Sequence, residues 1–283
     1  MRKVFVLIAA ATLLLAGCAQ RSSTPSSAAE GTDACAKENL NLLVPGKLTI
    51  GADKPAYPPW FVGNDPANGK GYEGAVARAV AEQVGFTPDE IAWTVVPFNK
   101  SYAPGPKDFD VYLTQVSITP ERAEVVEFSE GYYDVAQALV AKNDSSIANA
   151  TSVADLVNAK LGAQVGTTSL TYIEDEIQPT EEPYVYDTTN DAKSALENGQ
   201  IDGIVVDLPT AFYITAVQIP GSKVVGQFPQ TGGAQEQFGF VLEKGNPLVD
   251  CVNEAITALR SDGTLDEIEQ TWLADKTNAP VFQ

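Results

Sequence analysis

The residues best suited to chemistry lie in one run, Thr114-Gln115-Val116-Ser117-Ile118-Thr119-Pro120-Glu121-Arg122, where an apolar strand-like stretch gives way to a helix start. Thr119 suits the N-cap, Pro120 the first helical position and Glu121 the positive end of the helix dipole. Arg122 therefore falls in the first turn, where its own charge is disfavoured. A guanidinium placed against the dipole is suited to gripping an anion: its planar fork matches a carboxylate, with the Ser117 hydroxyl and the Gln115 amide close by in sequence. The plain alternative is a surface arginine paired with Glu121 or Glu124.

Three further features would complete a site for a small zwitterion, which must find partners for both charges when it leaves water. Gly166-Thr167-Thr168-Ser169 opens a helix, so Thr167 and Thr168 offer hydroxyls and amides to an anion, or simply cap that helix. Asp207 ends the apolar run Ile201–Val206, and the carboxyl ends of strands are where open α/β sheets place ligand groups; the alternative is an N-cap ahead of Pro209. Tyr57, Trp60 and Phe98 sit in loops after strand-like runs, where a flat or aliphatic group could be sandwiched, although aromatics more often belong to a core.

Elements that could hold these residues alternate along the chain. Lys47–Gly51 is β-like and leads into the loop with Pro55, Tyr57, Pro58, Pro59 and Trp60. Val76, Val80 and Val84, with Ala77 and Ala81, form a helical stripe that stops at Gly85. Ile91–Val96, Phe109–Val116 and Val125–Phe128 are predicted strands. After Tyr132 and Tyr133 a second unit begins. Ser152-x-x-Asp155 resembles a capping box, Leu161–Val165 and Ile201–Val206 are predicted strands, and a helix through Ala192–Leu196 stops near Gly199. A strand from Phe238 follows, then a helix carrying Val252, Ile256 and Leu259, and one opened by Thr264-x-x-Glu267 that carries Trp272. Such alternation predicts an α/β fold with mostly parallel sheets, and a chain of 283 residues fits two lobes.

Composition narrows the chemistry. The chain has no histidine, which removes the Ser-His-Asp triad, the Cys-His pair and the commonest zinc ligand set, so no catalytic residue, metal or cofactor is assigned. Gly69-Lys70-Gly71-Tyr72-Glu73-Gly74 has dinucleotide-loop spacing but follows a turn, Asn64–Asn68, where that fold needs a strand. Gly63–Lys70 has glycines one residue too far apart for a phosphate loop, and Gly71 stands where Ser or Thr belongs. With 18 basic residues against 37 acidic, nucleic acid and anionic lipid are poor partners.

At the amino end, Arg2 and Lys3, the apolar run Val4–Leu15 and then Ala16-Gly17-Cys18 read as a lipoprotein leader over 1–17, with Cys18 the lipidated first residue of the mature chain. Residues 18–39 read as a flexible tether to the outer face of the cell membrane. Cys35 and Cys251 remain, and in an oxidising compartment an even pair most simply forms a disulfide; two free buried thiols are the alternative.

The Ser117–Arg122 segment resembles the Ser-Ile-Thr-Pro-Glu-Arg phrase of family 3 (polar amino acid type) extracellular solute-binding proteins of ABC importers. The resemblance covers roughly residues 45 to 275. It implies a two-lobed periplasmic-binding-protein fold of type II, crossed twice by the chain, with 40–135 and 231–283 in lobe 1 and 136–230 in lobe 2. It implies that Arg122 clamps the α-carboxylate of a free amino acid, that Asp207 holds its ammonium and that Asp53 meets its side chain. A permease with its ATPase would be the partners of a monomer. Lys54 looks inserted, Gln115 stands where relatives often carry Ser or Gly, and Tyr102–Lys107 replaces the usual run; all three changes fall around the side-chain pocket. A dehydratase on the same fold would need Glu73 or Glu236 as general acid or base, and a ligand sensor would share every binding residue.

Overall fold

The structure is a computed structural model that describes residues 34–231, 235–273 and 279–283. The predicted leader, Cys18 and most of the predicted tether lie outside the described residues.

Among the described residues, ten strands form two sheets. β1 (Leu48–Ala52), β2 (Ile91–Val95), β3 (Val111–Tyr112) and β4 (Val126–Asp134) precede β5 (Gln137–Lys142), β6 (Leu161–Gln164), β7 (Tyr184–Tyr186), β8 (Gly203–Asp207), β9 (Ser222–Gln227) and β10 (Gln237–Glu243). The sheet orders are β2-β1-β3-β10-β4 and β7-β6-β8-β5-β9. In each sheet four strands run one way. The fifth, β10 or β5, is reversed, and it is the strand that arrives directly from the other sheet. Buried on both faces, β1 and β5 carry near-continuous apolar runs, as central strands require.

Helices cover both sheets: α1 (Tyr72–Val84), α2 (Phe98–Ser101), α3 (Pro120–Ala123), α4 (Thr168–Tyr172), α5 (Thr189–Glu197), α6 (Leu208–Tyr213), α7 (Leu248–Ser261) and α8 (Thr264–Leu273). The predicted stripe of α1 buries Val76, Ala77, Val80 and Ala81, and Gly85 ends the helix in the left-handed region at φ 107°. The first sheet's core is an aromatic cluster in which Trp60 meets Tyr72, Tyr133 and Phe238 edge to face at 5.5–6.0 Å. The second sheet is filled by Leu139, Ile173 and Val205 on one face and Ile204, Ala211 and Ile214 on the other.

Three segments depart from expectation. The predicted strand Phe109–Val116 keeps only Val111 and Tyr112 in the ladder. Before it, the Asp110 carboxylate accepts the backbone N–H groups of Leu43 and Thr49; after it, Gln115 turns to φ 46°. Residues 34–39, placed in the tether, are fixed to the first lobe: Cys35 is bonded to Cys251 on α7, and Lys37 Nζ donates to Glu90 Oε1 at 2.7 Å. Residues 279–283, placed in lobe 1, pack on the second lobe. Val281 bridges Gln227, and Phe282 stacks on Phe228 at 4.8 Å.

The disulfide joins residues 216 apart in sequence. Replacing both cysteines by serine should cost about 2–5 kcal/mol and lower the melting temperature by several degrees, because the unfolded chain regains a very long loop. Calorimetry on the two forms measures this; an unchanged melting temperature would show that the first lobe holds residues 34–47 without the bridge.

Candidate functional site

A cavity of about 370 Å³ lies between the sheets, at the carboxyl ends of their parallel strands. Asp53, Tyr57, Trp60, Phe98, Gln115, Ser117 and Arg122 line it from the first lobe, and Thr167, Thr168 and Asp207 from the second. The ten residues singled out in the sequence are thus brought to one place, but they do not all present free groups to it.

Arg122 is set by its cap: the Thr119 hydroxyl accepts the Arg122 N–H at 3.3 Å, and Pro120 leads the short α3. Its side chain is buried. Nη1 donates to the Ser117 carbonyl at 2.7 Å and Nη2 to the Gly166 carbonyl of the second lobe at 2.8 Å. The guanidinium carbon lies 4.6 Å from the centre of the Tyr102 ring and 5.6 Å from that of Phe98. Among the described residues no carboxylate comes within ion-pair distance of it, and Glu121 and Glu124 face solvent. Burial disfavours its charge, which Tyr102, Glu236 and Asp207 partly offset.

Asp207 occupies the N-cap position of α6 without capping it. Its carboxylate instead accepts Gln137 Nε2 at 2.9 Å. Some of its surface opens to the cavity, yet burial, with the nearby Glu236 charge, raises its pKa to about 8. Thr167 takes the capping role: its hydroxyl accepts the Leu170 N–H at 3.1 Å and donates to the Gln164 carbonyl at 2.8 Å. The Thr168 hydroxyl stays on the cleft side, 3.3 Å from that of Ser117 across it.

The aromatic residues divide by burial. Trp60 is 1% exposed and belongs to the core; its Nε1 reaches across the cleft to donate to Thr210 Oγ1 at 2.8 Å. Tyr57 is half-buried, and its hydroxyl is bonded by Asn190 Nδ2 from the second lobe. Phe98 is largely covered, and its N–H donates to Asp53 Oδ2 at 3.1 Å, while the Lys54 N–H holds Oδ1 at 2.6 Å. Burial raises the pKa of Asp53, and these two amides partly oppose the shift. Lys54 is exposed at the rim.

Gln115 is anchored from behind. Its backbone N–H donates to Glu73 Oε1 at 2.7 Å and its side-chain amide to Oε2, and the Tyr132 hydroxyl also donates to Oε1, at 2.6 Å. Glu73 is fully buried, and burial lifts its pKa to about 7. Sequence reasoning missed Asn99, Gln164, Thr210 and the run Asp187–Asn190, all of which line the cavity. Thr188 carried the only readable signal, as an N-cap for α5.

The closed arrangement of two α/β lobes around a polar cleft is that of type II periplasmic binding proteins. Residues 48–275 match the bacterial extracellular solute-binding proteins, family 3, and the chain belongs to that family. The L-cystine-binding protein TcyJ of Escherichia coli (strain K12) is 30% identical over 237 residues, covering 82% of this chain and 85% of that protein. The ABC transporter glutamine-binding protein GlnH of Bacillus subtilis (strain 168) is 26% identical over 97% of this chain and 98% of its own length. An ancestral arginine-binding protein bound to arginine superposes with a TM-score of 0.66 at 26% identity, over 80% of this chain and 98% of that one.

Glu73→Ala should cost about 2–4 kcal/mol in urea unfolding, because the Tyr132 hydroxyl and two Gln115 N–H groups lose their acceptor. A raised carboxyl pKa means stability that is full at low pH and lost as pH rises through about 7. The variant should lack that loss, and a cost below about 1 kcal/mol would show that water replaces the carboxylate.

Proposed function

We propose that this protein binds a free amino acid with a basic or amide-bearing side chain in the cleft and presents it, from a lipid anchor at Cys18, to an ABC permease and its ATPase. The observation that carries the reading is the pairing of a guanidinium and a carboxyl group across one cavity: the buried Arg122 from the first lobe and Asp207 from the second. The fork of Arg122, with the hydroxyls of Ser117 and Thr168, suits an α-carboxylate, and Asp207 suits the ammonium. Asp53 and Tyr57 stand where the side chain would extend, so a guanidinium or amide fits and a second carboxylate does not. The relatives named for arginine and glutamine support the same class of ligand.

The dehydratase reading rests on Glu73 or Glu236 as its acid or base, and neither lines the cavity. Among the described residues no helix is long and apolar enough to cross a membrane.

A thermal-shift screen of the twenty amino acids should be topped by a basic or amide-bearing one, with Asp53→Ala flattening the ranking; glutamate or a small aliphatic residue as the strongest stabiliser would overturn the side-chain assignment. Calorimetry should find Arg122→Ala weaker by about 2–5 kcal/mol, and Asp207→Asn weaker for amino acids but little changed for ligands without an amine. An unchanged affinity in Arg122→Ala would remove that residue from the site. Cys18→Ala should release the protein into the soluble fraction or block its processing, and membrane retention after full maturation would contradict the anchor.

A further inference from the structure

Glu236 lies outside the cavity wall, on the crossing from β9 to β10, yet its carboxylate is bonded toward both halves of the site. Ser117 Oγ, from the loop that leads into α3 and Arg122, donates to Glu236 Oε1 at 2.6 Å. Gln137 Nε2, one residue beyond the other crossing, reaches Oε1 at 3.3 Å and Oε2 at 3.2 Å, and the same nitrogen donates to Asp207 Oδ1 at 2.9 Å. The far end of the Gln137 amide is fixed in turn, since its oxygen accepts Ser169 Oγ at 2.6 Å. The two crossings also bond directly, with Val135 N–H donating to the Glu236 carbonyl at 2.9 Å.

A chain Ser117–Glu236–Gln137–Asp207 therefore runs behind the cavity and joins its two ends. We propose that Glu236 is the positioning residue of this site: one hinge carboxylate that orients Ser117 and, through Gln137, sets the place and electrostatic surroundings of Asp207. The proposal rests on the reading of Asp207 as the ammonium acceptor.

Charge supports the geometry. The charged and titratable groups acting on Asp207 are Glu236 from the crossing, Glu73 from α1, Arg122 from α3 and Tyr133 from β4. After burial, Glu236 is the largest influence holding Asp207 protonated. The Glu236 carboxylate, which shares one amide donor with Asp207, favours a proton on Asp207. An arriving ammonium supplies that positive charge instead, and the proton leaves.

The test has an arm that needs no ligand. Wild type, E236Q, E236D, D207N and the E236Q/D207N double variant are unfolded with urea across pH 4 to 9. Asp207 held protonated contributes stability that is full at low pH and lost as pH rises through about 8. E236Q, lacking the neighbouring charge, should lose less over that range, E236D should lose as much as wild type, and E236Q should add nothing in the D207N background. The second arm measures L-arginine and L-glutamine by calorimetry in buffers of different ionisation enthalpy. Wild type should release roughly one proton per amino acid near pH 7 and E236Q fewer. E236D keeps the charge but withdraws from Ser117, so it should bind about tenfold more weakly with the proton count unchanged.

E236Q with wild-type pH dependence and a wild-type proton count would overturn the proposal, whatever its affinity. If neither amino acid binds wild type, the assignment of a basic or amide-bearing side chain fails by itself, because the ligand-free arm still reads the coupling of Glu236 to Asp207.

Discussion

A buried guanidinium is the constraint on which the rest of this structure depends. Taking a cation out of water costs several kcal/mol unless its donors and its charge are both met. Arg122 meets the donors with carbonyls from both lobes, Ser117 and Gly166, and part of the charge with the faces of Tyr102 and Phe98. Its solvation therefore belongs to neither lobe alone. Closing the lobes changes the environment of the one group best able to grip a carboxylate, which ties the conformation of the whole molecule to the chemistry of the cleft.

The other contacts across the cleft are of a kind that can be remade. Trp60 to Thr210, Tyr57 to Asn190, Tyr102 to the Gly166 carbonyl and Ser117 to Thr168 are hydrogen bonds between uncharged groups. Each contributes about 1 kcal/mol net, since water satisfies the same groups when the lobes part. Trp60 shows how the lobes are joined: its ring is packed by Tyr72, Tyr133 and Phe238, while its Nε1–H crosses to Thr210. The two lobes thus meet through side-chain tips and not through their cores.

What could be read from the sequence was local. Thr119, Pro120 and Glu121 reveal a helix start whatever surrounds them, and an aspartate after Ile204-Val205-Val206 marks a strand end; both positions reach the cavity. The Thr167 cap and the Trp60 core contact were legible only as alternatives, because a side chain's use depends on neighbours far along the chain. Gln137, a polar residue at the start of β5, gave no signal, and Glu236 was legible only as a candidate acid or base for another chemistry; they lie 99 positions apart and meet because the chain crosses twice between the sheets. Phe282 was misplaced for the same reason: its partner Phe228 lies in the other lobe, and no periodicity links them.

That misplaced tail bears on how the lobes can move. The first crossing is short, Val135 and Ala136 between β4 and β5, and it leaves few torsions free. The second begins after Gln227, and the tail grips that residue: the Gln227 N–H donates to the Pro280 carbonyl at 2.7 Å, Nε2 donates to the Ala279 carbonyl at 2.7 Å, and the Phe282 N–H donates back to the Gln227 carbonyl at 2.9 Å. Phe228 is held next, its N–H donating to the Gln137 carbonyl at 2.8 Å. The start of the second crossing, Gln227 and Phe228, is thereby held to the second lobe beside the two-residue first crossing. The described parts of the two crossings are bonded to each other, Val135 N–H to the Glu236 carbonyl and Gln230 Nε2 to the Val135 carbonyl, an arrangement that permits rotation more readily than sliding. Glu236 joins them, its carbonyl bonded to the Val135 N–H of the first crossing and its carboxylate to Ser117 and Gln137, so any change in the angle between the lobes acts on the one carboxylate that binds both.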